Sequence, residues 1–293
     1  IGRDVRMDSL PFGRNPSLQE VYDKVKSNYV SFAEKRNDAL ERIPMLGLMC
    51  TATDFQMQLN LIVSLDVPVE GYVMVINGDA PLAKVFAAAL AKEFLGFVVA
   101  HPYDRNEGVS RGWNIALRQA FVRSDPPRVS CFIANSDIEF RPNTLGAAIR
   151  AFHSSAEALV GRYHGFAFFA VKREGFERLG YADETLFPGY GEDIEYMLRM
   201  VVTNTSMLSI SPPCHHYSSP NVKRDPALAQ MLRRTRRWHY IEQKWGISEK
   251  EVLGGLWTTR PFPHPFNRES ISIQNSWIVD PEHRRCIVEG PAN

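Results

Sequence analysis

The chain of 293 residues is long enough for one large α/β domain or two small ones. Its 44% hydrophobic and 23% charged residues are those of an ordinary globular protein, and 19 glycines with 19 prolines give no reason to expect a disordered chain. A net charge of +1 provides no global field for nucleic acid or an acidic membrane surface.

No apolar run reaches the length of a membrane span, and no secretory signal opens the chain. Cys50, Cys131, Cys214 and Cys286 are scattered without a CxxC pair, so neither a disulfide framework nor a zinc site is expected. The expected setting is cytoplasmic; the Golgi or ER lumen is the alternative if Ile1 opens a trimmed piece of a longer polypeptide.

Residues 1–16 are polar and broken by Pro11, Gly13 and Pro16, an extended lead-in. Ser17 followed by Glu20 is a capping-box pattern. Val21, Val25, Tyr29, Phe32 and Leu40 then mark one apolar stripe on a helix of about 24 residues, an appendage to the main domain. The run 45–50 predicts a first strand ending at Thr51-Ala52-Thr53, with a helix over 55–64. A second strand over 71–76 closes on Asn77-Gly78-Asp79. Pro81 suits a helix start, and the alanine-rich run to Phe94 continues that helix. A third strand over 97–100, a loop over 101–108 and a helix over 109–122 complete the unit, which Pro126-Pro127 terminates.

The fourth strand, 130–134, is apolar without alternation, as a strand covered on both faces must be. It breaks into Asn135-Ser136-Asp137. Strand, helix, strand, helix, strand, helix, strand is the order of a doubly wound sheet, which binds ligands beyond the carboxyl ends of its strands. Neither GxGxxG after the first strand nor a GxxxxGK(S/T) loop is present, which disfavours a dinucleotide enzyme and a P-loop NTPase. Beyond it lie a helix over 144–152, a strand over 166–171, short helices over 173–179 and 192–202, and a strand over 207–210. A basic, aromatic helix over 227–245 and a proline-rich surface wrap from Pro261 end the chain.

Three constellations carry chemistry. Asp137, with Asn135 and Ser136 at a strand end and His216 after a later strand, offers oxygen and imidazole ligands for Mn²⁺ or Mg²⁺ against a diphosphate. The alternative for His215 and His216 is a pair of turn histidines bonded to backbone. Glu192 and Asp193 follow Gly191 at a helix start, where the macrodipole alone stabilises acids; the functional reading makes Asp193 a general base. Asn106-Glu107-Gly108 with Arg111 and Asn114 forms an anion-friendly turn, or an ordinary helix cap beside a surface arginine. Arginines among Trp238, Tyr240 and Trp245 suggest nucleic acid, but the two tryptophans have core spacing and the domain is nearly neutral, so no nucleic-acid partner is expected.

These segments resemble the inverting, GT-A-fold nucleotide-sugar glycosyltransferases of the family 2 type over about residues 44–246. Asn106 to Asn114 is similar to the family's N-x-G-x-x-x-x-x-N segment. Asn135-Ser136-Asp137 occupies the DxD position. Leu179-Gly180-Tyr181-Ala182-Asp183-Glu184, then Gly191-Glu192-Asp193-Ile194-Glu195 and Arg199, resembles the segment G-x-x-D-E, E-D-x-(D/E), R. The resemblance implies a GT-A fold: a doubly wound, Rossmann-like mixed sheet flanked by helices, with an N-terminal helical extension (1–43) and a C-terminal helical and irregular wrap (247–293). It divides 44–246 into a nucleotide-binding half (44–137) and an acceptor half (138–246).

By the same resemblance, Thr51 and Asn77 contact base and ribose, Asn106, Arg111, Asn135 and Ser136 help hold the nucleotide, and Asp137 and His216 hold Mn²⁺ or Mg²⁺. Asp193 is the base, and Glu192 and Asp183 shape the acceptor site. Asn135 and Asn77 depart from the acids usual at their positions. The implied donor is a UDP-, GDP- or TDP-linked sugar and the acceptor a hydroxyl of a glycan or another molecule, with inversion at the anomeric carbon. Two other readings compete: a catalytically silent GT-A-like module that binds sugar or protein, and a sugar nucleotidyltransferase, whose glycine-rich signature is missing from Cys50-Thr51-Ala52-Thr53.

Overall fold

A computed structural model describes residues 15–34, 40–51, 54–163, 165–209, 212–217, 223, 226–234 and 237–253. Residues 1–14 of the expected lead-in and the wrap from Pro261 lie outside the described residues.

Helix α1 (Leu18–Ala33) begins where the capping box predicts: the Glu20 amide donates to Ser17 Oγ at 3.2 Å and the Ser17 amide to Glu20 Oε2 at 2.8 Å, satisfying two amides that a helix start leaves open. Val21 and Val25 are buried, and Asn28 donates to the buried Tyr72 hydroxyl at 2.7 Å. The helix is 16 residues long, shorter than the apolar stripe suggests, and Leu40 is exposed beyond it.

The remaining elements are β1 (Leu46–Cys50), α2 (Phe55–Ser64), β2 (Tyr72–Asn77), α3 (Pro81–Glu93), β3 (Val98–Tyr103), α4 (Val109–Arg118), β4 (Ser130–Asn135), β5 (Ile138–Phe140), α5 (Leu145–Ser154), β6 (Val160–Arg162), β7 (Phe168–Lys172), α6 (Arg173–Leu179), α7 (Glu192–Val202), β8 (Met207–Ser209), β9 (Cys214–His216), α8 (Pro226–Arg234), α9 (Arg237–Trp245) and α10 (Glu249–Leu253). The helix expected over 109–122 ends in a π-helical turn, Gln119–Arg123, and of the one expected over 227–245 the described residues are helical over Pro226–Arg234 and Arg237–Trp245.

The main sheet has seven strands in the order β3-β2-β1-β4-β7-β6-β8. β1 to β4 are mutually parallel, with Leu46 opposite both Tyr72 and Phe132, whereas β7 runs antiparallel to β4. Helices cover both faces, so β1, β2 and β4 are buried along nearly their whole length and their sequences carry no polar alternation. One apolar cluster, with Leu48, Met74, Phe132 and Phe152, lies on one face; Val73, Trp113, Ile133 and Phe169 build the other. Each fully buried large side chain contributes on the order of 2 kcal/mol by leaving water.

Parallel pairing brings the carboxyl ends of β1, β2, β3 and β4 to one edge. The chain order reverses between β1 and β4, and a crevice opens where the two connections leave in opposite directions. A second, two-stranded sheet pairs β5 with β9 antiparallel, setting Ile138 opposite His216, Glu139 opposite His215 and Phe140 opposite Cys214. Beyond α7, Leu186, Leu198, Ile241, Trp245 and Ile247 form a separate apolar cluster. Lys244 Nζ lies 2.7 Å from both Asp183 Oδ2 and Glu195 Oε1, and Arg199 also binds Glu195, so α9 docks on α7 through a buried charge network. Burial raises the Asp183 pKa, but Lys244, Tyr240 and Thr185 outweigh it and hold the carboxyl below its usual value.

Candidate active site

A cleft of about 830 Å³, open mouth included, fills the crevice. Its walls include Thr51 after β1, Asn77 at the end of β2, Asn106, Asn135-Ser136-Asp137 after β4, and Glu192 at the start of α7. Residues that the sequence scatters over 140 positions therefore meet at one sheet edge.

Asp137 and His216 are brought together. Their Oδ2 and Nε2 atoms lie 3.2 Å apart because the β5–β9 ladder ends beside them, with the Tyr217 amide donating to the Asp137 carbonyl at 2.9 Å. Neighbouring ligands of an octahedral cation, each about 2.1 Å from the ion, are about 3 Å apart, so this pair fits a divalent cation. No group of three or more His, Cys, Asp or Glu side chains among the described residues is arranged to hold a metal. His215 turns away and packs edge-on against Tyr217, whose hydroxyl donates to Glu139 Oε2 at 2.8 Å.

The nucleotide edge differs in detail from the sequence reading. Asn77 lines the cleft, but its amide braces the neighbouring loop: Nδ2 donates to Asn106 Oδ1 at 2.9 Å, and Oδ1 accepts from the Glu107 amide at 2.6 Å. Asn106 Oδ1 also accepts from the Gly108 amide at 2.9 Å. Gly108 has φ +89°, and a Cβ there would lie 2.9 Å from Phe187 Cδ2, so only glycine lets the loop pass. The next amide, of Val109, donates to the Pro188 carbonyl at 3.0 Å and joins this loop to the opposite rim.

Arg111 is not on the cleft wall. Its guanidinium lies 3.3 Å from Glu184 Oε2 and stacks over Tyr103, while Asn114 Nδ2 donates to Glu184 Oε1 at 2.9 Å. These residues tie α4 to the 182–184 segment.

Asp54 is a wall residue the sequence reading missed. Its carboxylate is buried and accepts hydrogen bonds from the Thr51 amide and hydroxyl and from Ser136 Oγ, linking the turn after β1 to the turn after β4. An acid preceding a helix at the end of a central strand was the available signal.

At the start of α7, Gly191 has φ +99°, and the chain turns so that Glu192, not Asp193, lies on the cleft wall. Asp193 is half-buried and its Oδ1 accepts from the Ile194 amide at 2.8 Å. Burial, followed by the charge of Asp193, pushes the Glu192 pKa up to about 8. Two buried polar atoms on the wall, Glu192 Oε2 and Asn135 Oδ1, have no hydrogen-bond partner among the described residues. Buried polar atoms are normally paired, and unpaired ones in a cleft point to a ligand.

The parallel four-strand core, the antiparallel β7 and the crevice at the β1–β4 switch constitute the GT-A fold. A mannosyltransferase from Pyrobaculum calidifontis, solved with GDP-mannose and Mn²⁺, is similar: TM-score 0.50 and 14% identity over 89% of this chain and 79% of that one. Glucosyl-3-phosphoglycerate synthase from Mycobacterium tuberculosis, solved with Mg²⁺ and UDP, aligns at TM-score 0.43 with 12% identity over 72% of this chain and 80% of that one. No protein-family model matches the chain, and no curated protein matches it by sequence.

Proposed function

We propose that this protein is a metal-dependent, inverting glycosyltransferase that moves a sugar from a nucleoside-diphosphate sugar to an acceptor hydroxyl. The observation that carries the reading is the convergence of Asp137, Asn135 and Glu192 of α7 on one cleft at the switch point of a GT-A sheet, with His216 against Asp137. The mannosyltransferase, of the same fold and bearing GDP-mannose and Mn²⁺, supports it.

Asp137 and His216 are the residues to hold Mn²⁺ or Mg²⁺. A bound divalent cation there supplies charge neutralisation for a diphosphate. Thr51 and Asn106 bound the nucleotide end of the cleft, Asn135 offers its buried Oδ1 to a ribose hydroxyl, and Ser136 is held by Asp54. Inversion by single displacement requires a base on the acceptor side; the family resemblance gives that role to Asp193, and its neighbour Glu192 is the alternative.

The test is thermal stabilisation by UDP, GDP and TDP, each with and without Mn²⁺, since a ligand that binds only the native state raises its stability by mass action. At least one nucleotide should raise Tm in the presence of Mn²⁺, and D137A should remove that rise. If none of the three shifts Tm with either metal, the donor assignment is wrong.

A further inference from the structure

We infer that the acid which accepts the acceptor's proton is Glu192 rather than Asp193; this rests on the transferase reading above. Three geometric facts favour Glu192. It forms the cleft wall, whereas Asp193 does not. It is only 8% exposed, yet Oε2 has no partner among the described residues. The helix start beneath it is fixed, because the Glu195 amide donates to the Gly191 carbonyl at 2.8 Å and a Cβ on Gly191 would press on Ile241 at 3.3 Å. A base needs an acceptor oxygen that is not committed to another donor and lies within hydrogen-bond reach of the substrate, and Glu192 places such an oxygen at the cleft wall.

The step balances as a single displacement. The acceptor oxygen forms a bond to the anomeric carbon as the bond from that carbon to the diphosphate oxygen breaks. The hydroxyl proton passes to Glu192 Oε2, and the nucleoside diphosphate leaves with the bonding electron pair. Glu192 then returns its proton to solvent.

The surroundings give the assignment a pH signature. The charged groups acting on Glu192 are Asp193 on its own helix and Arg237 on α9, while Asp54 and Asp137 line the same cleft. Burial and Asp193 raise its pKa, Arg237 and the amides of residues 190 and 192 lower it, and the balance falls near 8. Activity should therefore climb through that region as the carboxyl ionises. Removing the Asp193 charge should move the climb to lower pH.

The experiment compares wild type, E192Q and D193N, using the nucleotide sugar whose nucleotide gives the Mn²⁺-dependent Tm rise, and following nucleoside diphosphate release between pH 6 and 9.5. For E192Q the expected outcome is a Tm rise like that of wild type with a kcat at least 100-fold lower and no climb near pH 8. For D193N it is sustained transfer with the climb displaced downward. E192Q with wild-type kcat, or D193N inactive while E192Q retains the climb, overturns the inference. A wild-type protein showing neither nucleotide-dependent stabilisation nor release fails the transferase reading itself, a distinct result. Should E192Q not fold, E192D gives the second measurement: it keeps a carboxyl but withdraws it from the cleft, and a kcat equal to wild type again overturns the assignment.

Discussion

Replacing Glu192 by glutamine should change how stability depends on pH. The carboxyl is buried in the folded protein with a pKa near 8, against an ordinary glutamate value of 4.5. The native state therefore holds a proton that the unfolded chain has released. At about 1.36 kcal/mol per pH decade, the interval corresponds to at most about 5 kcal/mol. The sign follows from linkage: a raised folded-state pKa gives stability that is whole below the unfolded value and is lost as pH climbs to the folded one. Wild type thus loses stability relative to E192Q between pH 4.5 and about 8, and from pH 6 to 8 the relative loss is about 2 kcal/mol. Glutamine brings its own cost, about 1–3 kcal/mol for a buried amide without a partner, but that cost does not vary with pH. Urea unfolding of both proteins at pH 6, 7 and 8 separates the two effects, since every titration they share cancels in the difference. Parallel stability curves across that range would show that Glu192 is ionised in the native state and refute the reasoning.

The other expectations are simpler to read. H216A should leave the fold intact while weakening Mn²⁺-dependent stabilisation by nucleotide at least tenfold in metal concentration, measured by titrating Mn²⁺ against Tm. K244M leaves Asp183 and Glu195 buried without their shared ammonium; chemical denaturation should show a loss of about 3–5 kcal/mol, and an unchanged midpoint would assign the docking of α9 to apolar packing alone. G108A forces a Cβ into a left-handed residue against Phe187, so it should cost about 1–3 kcal/mol and weaken nucleotide binding; full binding at wild-type stability would contradict it. N77A removes the amide that braces Asn106 and Glu107 and should raise hydrogen exchange at the amides of residues 107 and 108, with little change in the sheet.

The sheet was legible because its signal is physical and local. Runs such as 72–76 and 130–134 are apolar throughout, which only a strand covered on both faces requires. The short elements were not: β5, β6 and β9 have three residues each, too few for a period to declare itself. Asp137 and His216 stood out as types, and the structure adds their contact across the small sheet, which no spacing in the sequence encodes. Asn77 and Arg111 stand out by chemistry, and the structure adds tertiary partners that no spacing announces: Asn77, on the cleft wall, braces a loop, and Arg111 meets Glu184. The choice between Glu192 and Asp193 depends on one positive-φ glycine, a rotation that adjacent acids in a sequence cannot reveal.

The antiparallel ladder that carries His216 has a parity. Sliding one strand of such a pair by a single residue turns its side chains over, so a slipped β9 would set His215 opposite Ile138 in place of His216. In the observed register it is His216 that meets Asp137 while His215 packs on Tyr217, so keeping this ladder in register is what keeps the imidazole beside the acid.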